Sequence, residues 1–191
     1  MHFIIKLIYF IVNKIKFNRN KIILGKDPIF NGVLFVHNLG DIKIGNKFKA
    51  TSGSRYNPIG GDHILRLVCR PNAKIYIGHN VGISNSSFFI SNELFIGDNV
   101  LIGGGCKIWD SDFHSIDSYE RNFNGDNNVI SKPIFIDKCC FIGASSIILK
   151  GVTIGENSIV GAGSVVTKSI PPNEIWAGNP AKKIKSLNIN E

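Results

Sequence analysis

Aliphatic residues recur at every sixth position along the C-terminal part of the chain. The phase is unbroken at Ile136, Ile142, Ile148, Ile154, Val160 and Val166. The fifth residue of most units is small or β-branched, and glycine follows three of the aliphatic positions. A period of six fits neither the 3.6 residues per turn of a helix nor the two-residue alternation of a half-buried strand. It predicts a parallel β-helix, in which each hexapeptide supplies one short strand and a turn, and three strands complete a triangular coil.

The same period is present upstream, which sets the expected domain bounds. It appears at Ile77, Ile83, Ile96, Ile102 and Ile108, and a weaker start is visible in DIKIGNKF near Ile42. An insertion over residues 52–72 interrupts it there. We therefore predict an N-terminal helix over 1–21, a β-helix domain over 22–185 and a short tail over 186–191.

A polar segment breaks the period between Ile108 and Ile134. It reads WDSDFHSIDSYERNFNGDNNVISKP and holds one histidine among several aspartates. The break predicts that the chain leaves the coil as a loop over 109–133. Solenoids tolerate such an extrusion at a corner, and long loops in compact domains tend to be functional.

The N-terminal segment MHFIIKLIYFIVNKIKFNRNK has the pattern of an amphipathic helix. On a helical projection, polar and basic residues lie on one face and five aliphatic residues on the other. We call these five the aliphatic stripe: Ile4, Leu7, Ile8, Ile11 and Ile15. Lys6 and the shortness of the segment argue against a membrane span, and no small-residue cleavage site follows it. Two alternatives stay open, a helix packed on the protein or on a subunit, and a basic helix lying on a membrane through residues 1–20.

Composition narrows the classes of partner. The formal net charge is +8, which favours an anionic partner, but the basic residues form no dense run and no nucleic-acid-binding motif is present. We therefore expect no nucleic acid as a partner. The four cysteines and five histidines show no metal-ligand spacing, so we expect free thiols in a reducing cytosol and no metal.

The units I-G-x-N-[SV]-x-[IV], followed by VGAGSVVTKSIPPNEIWAGNPAKKI, resemble the hexapeptide-repeat acyltransferases. The likeness runs from about Ile42 to Ile184 and is nearest to the maltose and galactoside O-acetyltransferases and to bacterial polysaccharide O-acetyltransferases. It implies an all-β fold, a left-handed parallel β-helix with an extruded loop. It also implies a homotrimer that binds acetyl-CoA in the groove between adjacent β-helices.

The resemblance also implies the residues that act on the acceptor. It places His114, on the predicted loop, as the general base that takes a proton from the acceptor. A carboxylate should hold the other ring nitrogen, and among Asp110, Asp112 and Asp117 we favour Asp112. Asn85 is expected to contact the acceptor sugar.

For the acyl donor, the resemblance points to small residues and to cations. Small residues would admit the pantetheine arm to backbone amides, and lysines would meet the phosphates. The expected positions are Ala144, Ala162, Thr167, Lys168, Lys182 and Lys185. Lys182 and Lys185 stand where the family commonly has arginine.

These expectations define a leading function and two alternatives. The leading one is an acetyl-CoA-dependent O-acetyltransferase that transfers the acetyl group directly to a sugar hydroxyl, in lipopolysaccharide or capsule biosynthesis. Its expected location is the cytoplasm, with the inner face of the cytoplasmic membrane as a further option. The alternatives are N-acetylation of an amino sugar or other small acceptor, and a non-catalytic β-helix that binds or scaffolds.

Overall fold

In the computed structural model, which describes residues 2–188, each hexapeptide unit forms one side of a triangular coil. Helix α1 (His2–Arg19) precedes the first coil. The first three coils comprise β1 (Ile23–Leu24), β2 (Ile29–Asn31), β3 (Phe35–Asn38), β4 (Asp41–Ile44), β5 (Lys49–Thr51), β6 (Arg66–Cys69), β7 (Lys74–Ile77), β8 (Gly82–Ser84) and β9 (Ser87–Ile90). The next three comprise β10 (Glu93–Ile96), β11 (Leu101–Ile102), β12 (Lys107–Trp109), β13 (Ile134–Ile136), β14 (Phe141–Ile142), β15 (Ile147–Ile148), β16 (Thr153–Ile154), β17 (Ile159–Val160) and β18 (Val165–Val166).

Each coil adds one strand to each of three parallel sheets. The sheet orders are β1-β4-β7-β10-β13-β16, β2-β5-β8-β11-β14-β17 and β3-β6-β9-β12-β15-β18. An antiparallel hairpin, β19 (Glu174–Gly178) and β20 (Ala181–Ser186), continues the second sheet beyond β17. The predicted left-handed parallel β-helix is confirmed.

The core is a set of aliphatic columns that run along the solenoid axis. In the first sheet, the aligned and buried members of one column are Ile44, Ile77, Ile96, Ile136 and Ile154. Equivalent inward positions are therefore stacked in register, as the six-residue period requires. Burying each such side chain contributes about 1.5–3 kcal/mol.

The solenoid begins one coil earlier than the repeat suggests. Its first strand starts at Ile23, whereas the repeat is readable only from Ile42. The inward positions of this coil include Phe30 and Leu34, which do not reproduce the isoleucine-glycine units. The expected insertion over 52–72 is also shorter, because Arg66–Cys69 forms β6 within the second coil.

Helix α1 closes the first coil, but through the face opposite to the aliphatic stripe. Phe17 is buried and its ring lies 5.5 Å from that of Phe30. Asn13 is fully buried, donates to the carbonyl of Gly32 and accepts from the N–H of Leu34. These bonds satisfy backbone groups at the end of the solenoid, where no further coil can supply partners. The helix thus packs on the protein, yet the stripe faces outward.

Neither helix within residues 2–188 has the length and apolarity needed to cross a membrane.

Two excursions leave the solenoid at corners. Residues 52–65 carry a short 3-10 helix (Pro58–Gly60), and residues 110–133 carry α2 (Ser118–Phe123). Both ends of the second loop meet at Asp110, whose buried carboxylate accepts from the N–H groups of Ser91 and Asn92, and whose carbonyl accepts from Lys132. The loop is therefore fixed at its base.

Phe17→Ala should lower the free energy of unfolding by about 3–5 kcal/mol, because it empties the contact between α1 and the first coil. Ile15→Ala is the matched control, since Ile15 is 47% exposed on the same helix and its loss should cost less than about 1 kcal/mol. Urea unfolding at one fixed protein concentration measures both. Equal losses for the two variants would contradict the packing described.

Candidate active site

His114 lies on the loop 110–133 and is held by a carboxylate. Its Nδ1 is 2.6 Å from Oδ2 of Asp126, and the other oxygen of Asp126 accepts from the backbone N–H of Ser115 at 2.5 Å. A carboxylate at Nδ1 favours the tautomer with the proton on that nitrogen, so Nε2 presents its lone pair. The His114 side chain is 71% exposed, which leaves Nε2 open to another molecule.

The carboxylate of Asp126 is suited to this task because it stays ionised. The Ser115 N–H and, to a lesser degree, the His114 ring hold the pKa of the Asp126 carboxyl below its ordinary value. The negative charge can then orient the ring and stabilise an imidazolium when one forms.

Asp112 is not the partner of His114, contrary to the sequence-based expectation. Its carboxylate pairs with the ammonium of Lys150 at 2.5 Å. Asp117 accepts from the first N–H groups of α2 as its N-cap. Asp110 anchors the base of the loop, and burial raises the pKa of its carboxyl. All three nearby aspartates therefore serve the loop itself, and α2 brings the more distant Asp126 to the histidine.

Asn85 does not present its amide to an acceptor either. The residue is fully buried; its Oδ1 accepts from the N–H of Gly53 and its Nδ2 donates to the carbonyl of Asn57, both at 2.8 Å. The side chain thus clamps the excursion 52–65 onto the third coil. The expected contact of Asn85 with the sugar finds no exposed polar atom here, because the side chain is fully buried and each of its polar atoms bonds the excursion.

Ala144 and Ala162 lie one above the other at a single corner of the solenoid. The N–H of Gly163 donates to the carbonyl of Ala144, and the corresponding bond one coil earlier joins Ser145 to Gly104. Gly104 continues this line of small residues and meets the excursion 52–65. A Cβ on Gly104 would lie only 2.9 Å from the Cα of Gly60, so the two backbones are in close contact there. The small corner residues thus form an accessible strip that ends at the excursion.

Three of the expected donor-binding residues come together in one cleft. Thr167, Lys168 and Lys182 line a cleft of about 210 Å³, which Trp176 and Lys183 complete. The sequence did not single out Lys183, which also pairs with Glu174.

Lys185 is exposed further along β20, opposite Ile175, and is not among the residues lining this cleft.

A second cleft adjoins the histidine loop and was not expected from the sequence. It measures about 540 Å³ and is lined by Arg70, Pro71, Phe89, Ser91, Ser111, Phe113, Val129 and Ser131. The rings of Phe89 and Phe113 are 5.0 Å apart, and Trp109 meets Phe113 edge-on at 5.5 Å. Phe113 has φ of 65° and directly precedes His114. The cleft thus gathers aromatic rings and serine hydroxyls where the histidine loop leaves the solenoid, and His114 follows one of its lining residues in the chain.

Within the described part of the chain, no three His, Cys, Asp or Glu side chains come together as metal ligands.

His114→Ala should raise the pKa of the Asp126 carboxyl, but not to the ordinary value of an aspartate. The Ser115 N–H, which is the larger cause of the lowering, remains in the variant. Carboxyl-carbon NMR titration of both proteins tests this. The pKa of the Asp126 carboxyl is lower in the folded protein than in the unfolded chain. The ionised carboxylate therefore stabilises the fold at pH values above the unfolded pKa, and this stabilisation is lost as pH falls through the folded pKa. A full return to about 3.9 in the variant would show that the histidine contact dominates instead.

Comparisons with known proteins give a consistent picture. The family model of the hexapeptide repeat of succinyl-transferase matches residues 133–168. A hexapeptide-repeat acetyltransferase from Vibrio cholerae is 27% identical with a TM-score of 0.59, over 87% of this chain and 74% of that chain. A second structure of the same Vibrio protein holds acetyl coenzyme A. A comparison with curated proteins gave no match.

Two further solved structures extend the likeness. A maltose O-acetyltransferase from Clostridium difficile 630 is 27% identical with a TM-score of 0.54, over 85% of this chain and 71% of that chain. AntD, an N-acyltransferase from Bacillus cereus in complex with dTDP and 3-hydroxybutyryl-CoA, shares the fold at 23% identity and a TM-score of 0.69, over 92% of this chain and 88% of that chain. Repeat, fold and the likenesses to the Vibrio and Clostridium proteins together bear out the resemblance to the hexapeptide-repeat acyltransferases.

Proposed function

We propose that this protein is an O-acetyltransferase that moves an acetyl group from acetyl-CoA to a hydroxyl of a saccharide, in the synthesis of lipopolysaccharide or capsule. The observation that carries the proposal is the exposed Nε2 of His114, with Nδ1 held by an ionised Asp126. The 27% identity to a maltose O-acetyltransferase supports a sugar hydroxyl as the acceptor.

The reaction is a direct transfer with His114 as base. Nε2 takes the proton of the acceptor hydroxyl while the hydroxyl oxygen bonds to the thioester carbonyl carbon. The carbon-sulfur bond then breaks, and the proton passes from the imidazolium to the departing CoA sulfur. Asp126 stabilises the imidazolium between these steps.

The three buried cysteines carry no acyl group in this mechanism. Burial raises the pKa of the Cys140 thiol to about 12 and that of Cys69 to about 11, and it also raises the pKa of Cys106. Buried thiols of this kind do not supply a thiolate nucleophile at neutral pH.

The donor lies with its phosphates at the lysine cleft and its pantetheine arm along the strip of small residues. Lys168, Lys182 and Lys183 supply positive charge at the C-terminal end of the solenoid. Ala162 lies one coil before the lysine cleft and Ala144 two coils before it. Their small side chains leave backbone groups approachable. A lysine ammonium meets a phosphate as a point charge, whereas an arginine can form two parallel hydrogen bonds to it. Binding of the phosphates therefore depends on the three lysines together.

A homotrimer completes the groove. A heterologous side-to-side contact between solenoids closes under three-fold symmetry. The second sheet offers a suitable surface, because its outward, aligned positions include Leu101 and Phe141, which are 54% and 44% exposed. Ile159 and Ile175 continue this apolar row.

The acceptor occupies the aromatic cleft beside His114. Aromatic faces such as that of Phe89 pack against the apolar faces of sugar rings, while the hydroxyls of Ser91, Ser111 and Ser131 can bond the sugar hydroxyls. This assignment replaces Asn85, whose amide is consumed within the protein. The proposal includes a cytoplasmic location, with the inner face of the cytoplasmic membrane as the site of a lipid-linked or membrane-proximal acceptor, which the basic amphipathic helix α1 favours.

His114→Ala should lower kcat/KM by about 10²–10⁴-fold, because it removes the base. Release of CoA from acetyl-CoA, measured with a panel of sugars and amino sugars, gives the rates. Asp117→Asn is the control, since asparagine also serves as an N-cap and α2 should be kept. Full activity of a folded His114→Ala trimer would refute the base assignment, and transfer only to amino sugars would favour N-acetylation.

Phe89→Ala should raise KM for the acceptor about three- to tenfold, through the loss of one ring contact, with KM for acetyl-CoA within twofold of wild type. Phe95→Ala is the matched control, because Phe95 is an outward aromatic residue stacked on Tyr76 at 5.1 Å on a different sheet. It should change neither constant. An equal effect of the two variants, or a rise in KM for acetyl-CoA alone, would place the acceptor elsewhere.

A further inference from the structure

The aliphatic stripe forms a continuous exposed surface on α1. Its five side chains are between 47% and 60% exposed, and they follow one another at helical spacing. Large apolar side chains gathered on one surface mark a site of interaction rather than ordinary scatter. The structure therefore leaves one face of the helix without a partner within the described residues.

Rotation of the helix cannot hide this stripe. At about 100° per residue, Phe10, Asn13 and Phe17 lie on the side opposite the stripe. Turning the helix would expose Phe17 and break both hydrogen bonds of the buried Asn13. The outward orientation is thus fixed by the cap on the first coil.

The charge around the stripe favours an anionic surface. Residues 2–26 contain five lysines and one arginine but no aspartate or glutamate. Lys14 and Arg19 are exposed at the two edges of the stripe. An apolar helix face flanked by basic side chains is typical of helices that lie in the headgroup region of an anionic bilayer.

The position of the helix adds a geometric argument. Because α1 covers the first coil, its outer face points away from the body at the N-terminal end of the solenoid. In a cyclic trimer with side-by-side solenoids, three stripes lie at the same end. They can then meet one flat surface together, which multiplies a weak single contact.

We propose that the aliphatic stripe, with Lys14 and Arg19 at its edges, docks the protein on an anionic lipid bilayer. The helix lies in the plane of the headgroups, with its isoleucines toward the acyl chains and its basic side chains at the phosphates. This gives the proposed membrane location a defined surface. The proposed function supplies the biological reason for membrane docking, and only that reason rests on it. Docking itself requires no catalysis.

The test is co-sedimentation of the full chain with vesicles, without substrate. Vesicles of phosphatidylcholine with about one third phosphatidylglycerol should bind wild type at least about tenfold more tightly than pure phosphatidylcholine, and added salt should weaken binding. The double variant Ile8→Glu, Ile11→Glu should lose binding to both by about tenfold or more. Lys14→Gln with Arg19→Gln should remove only the preference for the anionic vesicles.

Ile59→Glu is the matched control, because Ile59 is an equally large isoleucine, 76% exposed on the excursion 52–65 and outside the aliphatic stripe, and its substitution should leave vesicle binding unchanged. Light scattering after size exclusion should give the same mass for wild type and all variants. Absence of wild-type binding, or equal binding by the Ile8, Ile11 variant, overturns the proposal. A lower mass for that variant alone would identify a second copy of the chain as the partner. CoA release by wild type in solution reports separately on the proposed function.

Discussion

The in-register stacking of inward aliphatic side chains is the constraint on which the rest of the structure depends. The column from Ile44 to Ile154 keeps one residue type at one phase through five coils. A shift of one residue in any coil would turn that side chain outward and break the column. Extra residues are accepted only at corners, and both excursions leave there. His114 accordingly lies on an excursion and Ala144 and Ala162 at a corner, while the sides of the triangle supply rigidity.

The ends of the stack pose a separate problem, because the last strands have no further coil to pair with. At the C-terminal end the hairpin of β19 and β20 turns back on itself and carries the lysine cleft. At the N-terminal end α1 uses Phe17 and Asn13 to cover the first coil. Closing an edge in this way prevents uncontrolled pairing with another chain. It also leaves the opposite face of α1 available for docking.

The sequence revealed the parts of this design that repeat. Six-residue periodicity predicted the solenoid and the extruded loop, because each inward position must satisfy the same packing. The predicted domain included the first coil, but the repeat is not readable there, since Phe30 and Leu34 fill its interior without the isoleucine-glycine units. The periodic stripe predicted the N-terminal helix, but a stripe alone does not say which face of the helix packs on the protein. The packed face is the one that carries Asn13, whose buried amide bonds the backbone of Gly32 and Leu34.

The site shows why residue types transfer more readily than contacts. His114 was found by resemblance, but its partner Asp126 lies 12 residues away and depends on the path of α2. Asp112 and Asn85 have suitable chemistry, and each is used for holding an excursion in place. Both polar clamps keep a long loop in one conformation, which lowers the entropic cost of presenting a base or closing a groove. The Asp112–Lys150 pair and the buried Asp110 therefore hold the loop on which the exposed histidine stands.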